Sequence, residues 1–146
     1  MKKIFLTAVT ALFTFALFAA EPLAINEKVL QAFQKSFKHA QDVSWHEYDT
    51  HYEVKFTHNT VDSRITYDTE GNILKTIRYY GEEQLPLFLR AKLQKQYKDK
   101  KVFGVTELAE EGQLDYYVIL EDAKNWIHVK CDAVGNMSVY KKYKKA

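Results

Sequence analysis

The sequences "YDTEGNILKTIRYY" (Tyr67–Tyr80) and "CDAVGNMSVYKKYK" (Cys131–Lys144) follow the same plan in two different parts of the chain. Each contains Asp-x-x-Gly-Asn, followed by a β-type stretch that ends in basic residues and tyrosine. Glycine at this place supplies the positive φ that a tight hairpin needs. We therefore predict a β-hairpin at both places, and the repetition raises the question of whether the whole chain is doubled.

The chain before each hairpin has the spacing of an amphipathic helix. From residue 26 to 40, one helical face collects the apolar residues Val29, Leu30, Phe33, Phe37 and Ala40. The pattern returns after Pro86, a residue that suits the first turn of a helix, with Leu89, Leu93 and Tyr97 at four-residue intervals. Phe33 therefore corresponds to Leu93, and Phe37 corresponds to Tyr97 by the same difference in residue number.

After each helix the apolar period changes to two, which indicates β-strands. Here Tyr52 corresponds to Tyr116 and Phe56 to Leu120, so the difference in residue number is larger by four than in the helices. The four additional residues fall in the hairpin loop "AEEGQL" at 109–114, where loops tolerate insertion. With a turn at Asp49-Thr50, the first hairpin is predicted to place Val43 opposite Phe56 and Trp45 opposite Val54.

These matches predict an α+β fold built as a tandem repeat of one helix plus four antiparallel strands. The repeats cover residues 26–80 and 85–144, within one domain of residues 21–146. A helix covers one face of an antiparallel sheet, and a unit of about 60 residues makes only a marginal core by itself. We therefore expect one continuous sheet, one shared core, both helices on one face, and a bare opposite face, called the open face below.

Residues 1–20 are predicted to be a secretory signal peptide. Lys2 and Lys3 precede the apolar stretch Ile4–Ala20, and a polar break follows at Glu21-Pro22. An uncleaved anchor is the alternative, because this apolar stretch is just long enough to span a bilayer. Cleavage would give an exported protein without stable membrane insertion.

The charge balance and the cysteine content narrow the class of protein. The chain has 21 basic and 19 acidic residues, and loss of Lys2 and Lys3 would leave 19 of each. A net charge of zero gives no reason to expect a nucleic-acid partner.

Cys131 is the one cysteine of the chain, so an intramolecular disulfide is excluded. Cys131 alternates with Val129 and Ile127, which predicts that it is a small buried hydrophobic residue.

Three motifs occur in order along the chain: Ala-x-Asp-Val-x-Trp at Ala40–Trp45, the repeated Asp-x-x-Gly-Asn, and Leu85-Pro86 before the second helix. In this order and spacing the chain resembles the PepSY-like family of periplasmic proteins. That family is also called β-lactamase-inhibitor-like, after the fold that it shares with the β-lactamase inhibitor protein. The resemblance covers Asn26 to about Tyr143.

The resemblance implies a tandem helix and four-strand fold, export to the periplasm, and no known catalytic residues. Neither β-lactamase inhibition nor the protease-related roles of PepSY domains follow from the fold alone. We predict no cofactor and no catalytic residue, although a site assembled from distant residues would make an unrecognised enzyme the alternative.

A small-ligand or metal-binding periplasmic protein is a second alternative to a binding module. No His-x-x-x-His or Cys-x-x-Cys pair gives a zinc spacing, but His46, Glu53 and His128 are predicted on the open face and are the first candidates for ligands. The Asp-x-x-Gly-Asn segments supply too few side-chain oxygens for calcium, and a hairpin turn accounts for them. We predict no metal site.

Aromatic and arginine side chains dominate the predicted open face. Its members are His46, Tyr48, Lys55, Arg64 and Arg78 in the first half, and Tyr117, Ile119, Trp126, His128 and Tyr140 in the second half. Tyrosine, tryptophan and arginine anchor many protein interfaces, although exposed sheets also favour aromatic cross-strand pairs. The leading hypothesis is a non-catalytic or inhibitor-like module that binds a protein or peptide through Trp126, Tyr117, Tyr140, Tyr48 and Arg78.

Overall fold

The computed structural model describes residues 24–145, so the predicted signal peptide at residues 1–20 lies outside the described residues. Two α-helices and eight β-strands are present in this part of the chain. In order they are α1 (Glu27–Ser36), β1 (Gln41–Glu47), β2 (His51–His58), β3 (Val61–Asp68), β4 (Ile73–Tyr80), α2 (Leu87–Gln96), β5 (Lys101–Glu110), β6 (Gln113–Glu121), β7 (Asn125–Asp132) and β8 (Met137–Lys144), with a 3-10 turn at Glu82–Gln84 before α2.

All eight strands belong to one antiparallel sheet in the order in which they follow along the chain. Every strand therefore pairs with its sequence neighbours, and β1 and β8 form the two edges. The junction between the halves is itself a strand pair, because β4 pairs with β5 from Lys75↔Glu110 to Tyr80↔Val105. Two helices with a continuous antiparallel sheet agree with the predicted α+β class.

The buried strand residues lie on one side of this sheet. Tyr80 pairs with Val105 and Val105 with Val118, while Val54 pairs with Ile65. Ile65 in turn pairs with Thr76, which shares a face with Tyr80 because alternate residues of a strand point to the same side. This side is called the core face, and the opposite side is the open face.

Buried apolar residues form two clusters, and the expectation of one shared core is wrong. One cluster consists of Val29, Phe33, Tyr52, Val54, Phe56, Ile65 and Tyr67. The other consists of Val61, Tyr80, Leu85, Leu89, Leu93, Val105, Tyr116, Val118, Leu120, Ile127, Val129 and Cys131. Between them, the core face of β4 and β5 carries Thr76 opposite Ala109 and Arg78 opposite Glu107. These small and charged side chains provide no large apolar surface to join the clusters.

The Asp-x-x-Gly-Asn turns are fixed by their aspartates. Asp68 Oδ1 accepts hydrogen bonds from the backbone N–H groups of Glu70 at 2.9 Å and Asn72 at 2.8 Å. Asp132 Oδ1 accepts the equivalent bonds at 3.0 Å and 2.8 Å. These bonds stabilise the carboxylate and hold the pKa of both aspartates below the ordinary value, with the bonds from Asn72 and Asn136 as the largest cause.

Each turn packs against the helix of its own half. A Cβ atom on Gly71 would lie 3.0 Å from the backbone oxygen of Lys28 in α1. A Cβ atom on Gly135 would lie 2.7 Å from Nζ of Lys92 and 3.2 Å from the ring of Phe88, both in α2. Glycine is therefore required twice over at these turns, by a positive φ and by the approach of a helix.

The register of the strands repeats along the chain. In the first half Gln41 pairs with Thr57, and in the second half Lys101 pairs with Glu121. The residue number rises from Gln41 to Lys101 by the same amount as from Phe33 to Leu93, and from Thr57 to Glu121 by the same amount as from Tyr52 to Tyr116. The pair His51↔Asp68 likewise corresponds to Asp115↔Asp132. Both β1 and β5 also contain a register shift at the corresponding place.

That register shift changes one predicted pair. Trp45 pairs with Val54 as predicted, but Val43 does not pair with Phe56, because the register shifts between Gln41 and Ser44. Asp42 has a left-handed backbone at this point, with φ of 53°. The resulting bulge leaves Val43 exposed at the edge of the sheet.

Candidate functional site

Six ring side chains lie on the open face of the second half, as one contacting pair and one contacting group of four. They are Phe103, Tyr117, Trp126, His128, Tyr140 and Tyr143, from strands β5 to β8, and they are called the open-face aromatic cluster. Most neighbours meet edge to face, an arrangement that aromatic pairs favour. Phe103 and Trp126 have ring centroids 4.7 Å apart, and Tyr117 and Tyr140 have centroids 5.8 Å apart.

His128 lies between the two tyrosines of β8. Its ring centroid is 5.6 Å from that of Tyr140 and 5.3 Å from that of Tyr143. Nδ1 of His128 and the hydroxyl of Tyr140 are also 3.3 Å apart, within hydrogen-bond distance. Tyr140 stays 48 % exposed and Tyr143 stays 44 % exposed, so the cluster retains ring surface that a partner can cover.

A bulge in β8 places an additional aromatic side chain in the cluster. His128 pairs with Lys141 and Val129 pairs with Val139, so two residues of β8 span one step of β7. Tyr140, the additional residue, contacts His128 and Tyr117 on the open face. The bulge therefore brings Tyr140 and Lys141 to the same side although they are neighbours in sequence.

Three lysines line the rings. Nζ of Lys145 lies 4.3 Å from the ring centroid of Trp126, and Nζ of Lys130 lies 5.6 Å from that of Tyr117. Nζ of Lys141 lies 5.6 Å from the ring centroid of Tyr143. These distances permit cation–π attraction, so the surface combines apolar area with positive charge at its border.

Protonation states follow from these contacts. Partial burial is the main reason why the pKa of Tyr140 is raised above its ordinary value. The pKa of Lys130 is raised mainly by its hydrogen bond to Asp115, and that of Lys141 by its contact with Tyr143. At neutral pH Tyr140 is therefore a neutral hydrogen-bonding group, and Lys130 and Lys141 are cationic.

The sequence-predicted residues Trp126, Tyr117 and Tyr140 all lie in this cluster, but Tyr48 does not. Tyr48 follows β1 at the opposite edge of the sheet and stacks on His51, with ring centroids 4.4 Å apart. The sheet order places β3 to β5 between the β1–β2 hairpin, which holds Tyr48 and His51, and β6. Tyr48 is therefore exposed but belongs to a separate surface.

Arg78 was predicted on the open face, and that placement is wrong. Its register partner is Glu107, and both residues alternate with Tyr80 and Val105 on the core face. The physical reason is a register shift in the β3–β4 pair, where Tyr67 pairs with Ile73 but Thr66 pairs with Lys75. One additional residue reverses the alternation of the rest of β4.

On the core face Arg78 takes part in a polar group between the two buried clusters. It donates from Nη1 to Oε1 of Glu107 at 2.9 Å, and the hydroxyl of Tyr80 donates to Oε2 at 2.5 Å. Burial is the largest cause that raises the pKa of Tyr80, and the hydrogen bond to Glu107 is the next. The arrangement satisfies a partly buried carboxylate and is a structural contact of the junction.

Two aromatic members of the cluster, Phe103 and Tyr143, were not predicted from the sequence. Phe103 occupies the register shift of β5 between Val102 and Gly104, so simple alternation does not assign it to a face. Tyr143 pairs with Trp126 only because of the bulge in β8. The available signal was the close repetition of aromatic residues at Tyr140 and Tyr143, which period-two alternation cannot place on one side.

The open face of the first half has a different character. Glu53 lies 3.9 Å from Lys55 and 3.6 Å from Nε of Arg64, measured between the charged atoms. Lys75 lies 3.3 Å from Glu110. A shallow cavity of about 410 Å³ between these pairs is lined by acidic and basic groups together with Leu74 and Ile77.

The candidate metal ligands are not brought together. His46 pairs with Glu53 across β1 and β2, whereas His128 lies on β7 within the aromatic cluster. Among residues 24–145, no three histidine, cysteine or acidic side chains are grouped so that they could hold a metal ion.

Cys131 is buried, and burial raises the pKa of its thiol to about 11.

Within residues 24–145, α1 and α2 are both too short to cross a bilayer, and no other helix of that part is long and apolar enough to do so.

The fold is similar to that of several solved bacterial structures. A BLIP-like protein of Bacteroides fragilis superimposes with a TM-score of 0.60 at 17 % identity, covering 86 % of this chain and 88 % of that chain. A DUF2874 family protein of Bacteroides uniformis has a TM-score of 0.56 at 16 % identity, covering 81 % and 88 %. A protein of Bacteroides eggerthii, described as a predicted periplasmic protein, has a TM-score of 0.57 at 15 % identity, covering 81 % and 87 %.

No protein-family model matches the chain, and no curated protein matches it either. At identities of 15 to 17 % the structural matches show a shared fold alone. The fold of this chain is that of BLIP-like proteins.

Proposed function

We propose that this protein is a non-catalytic binding module that holds a protein or peptide partner on the open-face aromatic cluster. The observation that carries the proposal is the presence of six ring side chains, in two contacting groups, on the face opposite both buried clusters. Each large aromatic side chain can bury roughly 150–250 Å². Tyrosine and tryptophan are also the residue types that most often carry interface energy.

The chemistry of the surface supports binding rather than a reaction. The exposed groups of the cluster are aromatic rings, hydroxyls and ammonium groups, which supply contact area and hydrogen bonds but no activated nucleophile. The one thiol of the chain, Cys131, lies on the other side of β7, in the buried cluster. The similarity in fold to a BLIP-like protein is compatible with this role.

We also infer that the chain is a duplicated PepSY-like unit exported to the periplasm. The constant register offsets between the halves and the equivalent turn-to-helix packing support the duplication. The order of the sequence motifs supports the PepSY-like assignment. The structural match to a protein described as a predicted periplasmic protein supports the location.

The proposal is tested by truncating one ring in each of the two contacting groups. The double variant Trp126→Ala/Tyr117→Ala should lose the partner proteins that the immobilised native chain captures from a periplasmic extract, with mass spectrometry to identify them. The matched control is Tyr79→Ala, because Tyr79 is an exposed aromatic residue that pairs with Thr106 and contacts no ring of the cluster. This control should capture the same proteins as the native chain.

Folding is measured on the same samples. Both side chains are half-buried and lie opposite the buried clusters, so truncation should leave the melting temperature close to that of Tyr79→Ala. Capture that is unchanged in the double variant, at an unchanged melting temperature, would show that the open-face aromatic cluster is not the binding site.

A further inference from the structure

The charge of the sheet is unevenly distributed between its edges. Strand β8 carries three lysines, Lys141, Lys142 and Lys144, and no acidic residue. The opposite edge strand, β1, carries Asp42 and Glu47 and neither lysine nor arginine. Because the whole chain has nearly balanced charge, the positive character of the β8 edge is a local property of this surface.

The acidic groups next to the cluster are already neutralised. Asp115 lies 2.8 Å from Nζ of Lys130, and Glu121 lies 2.6 Å from Nζ of Lys145. Both carboxylates are largely covered, at 17 % and 29 % side-chain exposure. In the part of the chain that the structure describes, Lys141, Lys142 and Lys144 make no ion pair. Lys142 pairs with Ile127 and Lys144 with Asn125, so both belong to the core-face side of β8. The unpaired charge on the open face beside the rings is therefore the positive charge of Lys141.

Lys141 is the cation best placed to meet a bound molecule. The β8 bulge brings it to the open face beside Tyr140, and it pairs with His128 in register. Its ammonium group already lies over the ring of Tyr143. A carboxylate that docks here would pair with an ammonium group whose side chain is held against the aromatic surface, which lowers the entropy lost on binding.

We infer that the partner of the open-face aromatic cluster is an acidic polypeptide segment, which places a carboxylate against Lys141 while its apolar side chains cover the rings. This inference rests on the proposed function, since it specifies the chemistry of the same site. Positive and negative surfaces that face each other give specificity and faster association, and the attraction weakens with salt.

A phage-displayed library of short random peptides tests the partner chemistry directly. Selection is run on the native chain and, in parallel, on Trp126→Ala/Tyr117→Ala. Peptides enriched only on the native chain should contain more Asp and Glu than Lys and Arg. Enrichment of neutral or basic peptides would overturn this inference and leave the proposed function standing. Equal enrichment on both proteins would overturn the proposed function itself.

The role of Lys141 is measured with one selected acidic peptide. Lys141→Glu should weaken its binding about tenfold at low salt, because an attraction is replaced by a repulsion of similar size. The matched control is Lys95→Glu, the same charge change at an exposed position of α2, which should stay within about twofold of the native chain. Equal weakening by both changes would overturn the inference, because it would reflect net charge alone.

Two further measurements separate other occupants. A single-stranded dT oligonucleotide bound as tightly as the peptide would overturn the assignment to a polypeptide, since aromatic rings and lysines also bind nucleic acid. Sedimentation of the native chain tests a second copy, whose β1 edge is acidic. Self-association that Lys141→Glu abolishes would identify the occupant as another copy and overturn the inference.

Discussion

Gly71→Ala should destabilise the fold more than the same change at Gly104, Gly112 or Gly135. The new methyl group would strain the turn between β3 and β4 and would also push that turn away from α1. Gly71 has φ of +86°, and an added methyl group would lie 3.0 Å from the backbone oxygen of Lys28. Ala32 Cβ would be 3.4 Å away. The closest obstacle is backbone of α1, which cannot rotate aside as a side chain can.

The expected loss has two parts. A left-handed backbone costs an L-residue about 1–2 kcal/mol, and insertion of a methyl group into a filled space costs about 1–3 kcal/mol. Together they predict that the free energy of unfolding falls by about 3 kcal/mol. For a domain of this size, that corresponds to a drop of about 10 °C in melting temperature.

Three other glycines separate the two parts. Gly112 has φ of +76° but open space around the added methyl group, so Gly112→Ala should cost only the strain, about 1 kcal/mol. Gly135 has φ of +84°, but its nearest obstacle is the flexible end of Lys92, so its loss should be intermediate. Gly104 has neither a positive φ nor a close neighbour, and Gly104→Ala should be nearly neutral.

The assay is urea denaturation of the four variants and the native chain at pH 7, followed by far-ultraviolet circular dichroism. The slope of the free energy with urea should not change between variants, so the midpoints alone report the order of stability. A loss for Gly71→Ala no greater than that for Gly112→Ala would refute the contribution of the helix contact.

The same denaturation assay tests two polar contacts. The hydroxyl of Tyr67 is buried without a hydrogen-bond partner among the described residues, so Tyr67→Phe should leave stability unchanged or raise it by up to about 1 kcal/mol. Tyr80→Phe removes the bond to Glu107 and should cost about 1–3 kcal/mol, so equal effects of the two changes would contradict this assignment. The pKa of Asp68 and of Asp132 is lowered in the folded chain, so the unfolded chain takes up protons first when the pH is lowered. The stabilisation from these carboxylates is therefore complete above the ordinary pKa of 3.8 and is lost as the pH falls through the folded pKa. The stability lost in Asp68→Asn/Asp132→Asn should therefore shrink below about pH 4, and a deficit that stays constant to pH 2 would contradict it.

The sequence was informative about the sheet wherever a strand alternates without interruption. The pairing of β2 with β3 and of β6 with β7 contains no register shift, so the predicted buried residues Val54 and Val118 are correct. The Asp-x-x-Gly-Asn turns were also predictable, because glycine and aspartate have specific backbone roles at such positions. The strand alternation and the turns both depend on residues close together in sequence, so both could be predicted without the tertiary structure.

Most errors arise at bulges or at the junction, and the exception is Tyr48, which the strand order places at the edge of the sheet opposite the cluster. The additional residue in β4 reversed the face of Arg78, and the bulge in β8 brought Tyr143 into the cluster. A bulge depends on tertiary packing and has no strong sequence signature. The division of the core depended on Glu107 opposite Arg78, a pair that joins strands of different halves.

The equivalent registers of the halves explain why recognition is expected in only one of them. The open-face positions that correspond between the halves are Glu53 and Tyr117, Lys55 and Ile119, Asp62 and Trp126, and Arg64 and His128. The first half holds charged groups at these places, several of them ion-paired, whereas the second half holds aromatic and apolar groups. Core-face residues must keep their apolar character because they stabilise each half, but open-face residues are free of that demand. A sheet whose two halves share one register can therefore keep one half charged and leave the other available as the proposed binding surface.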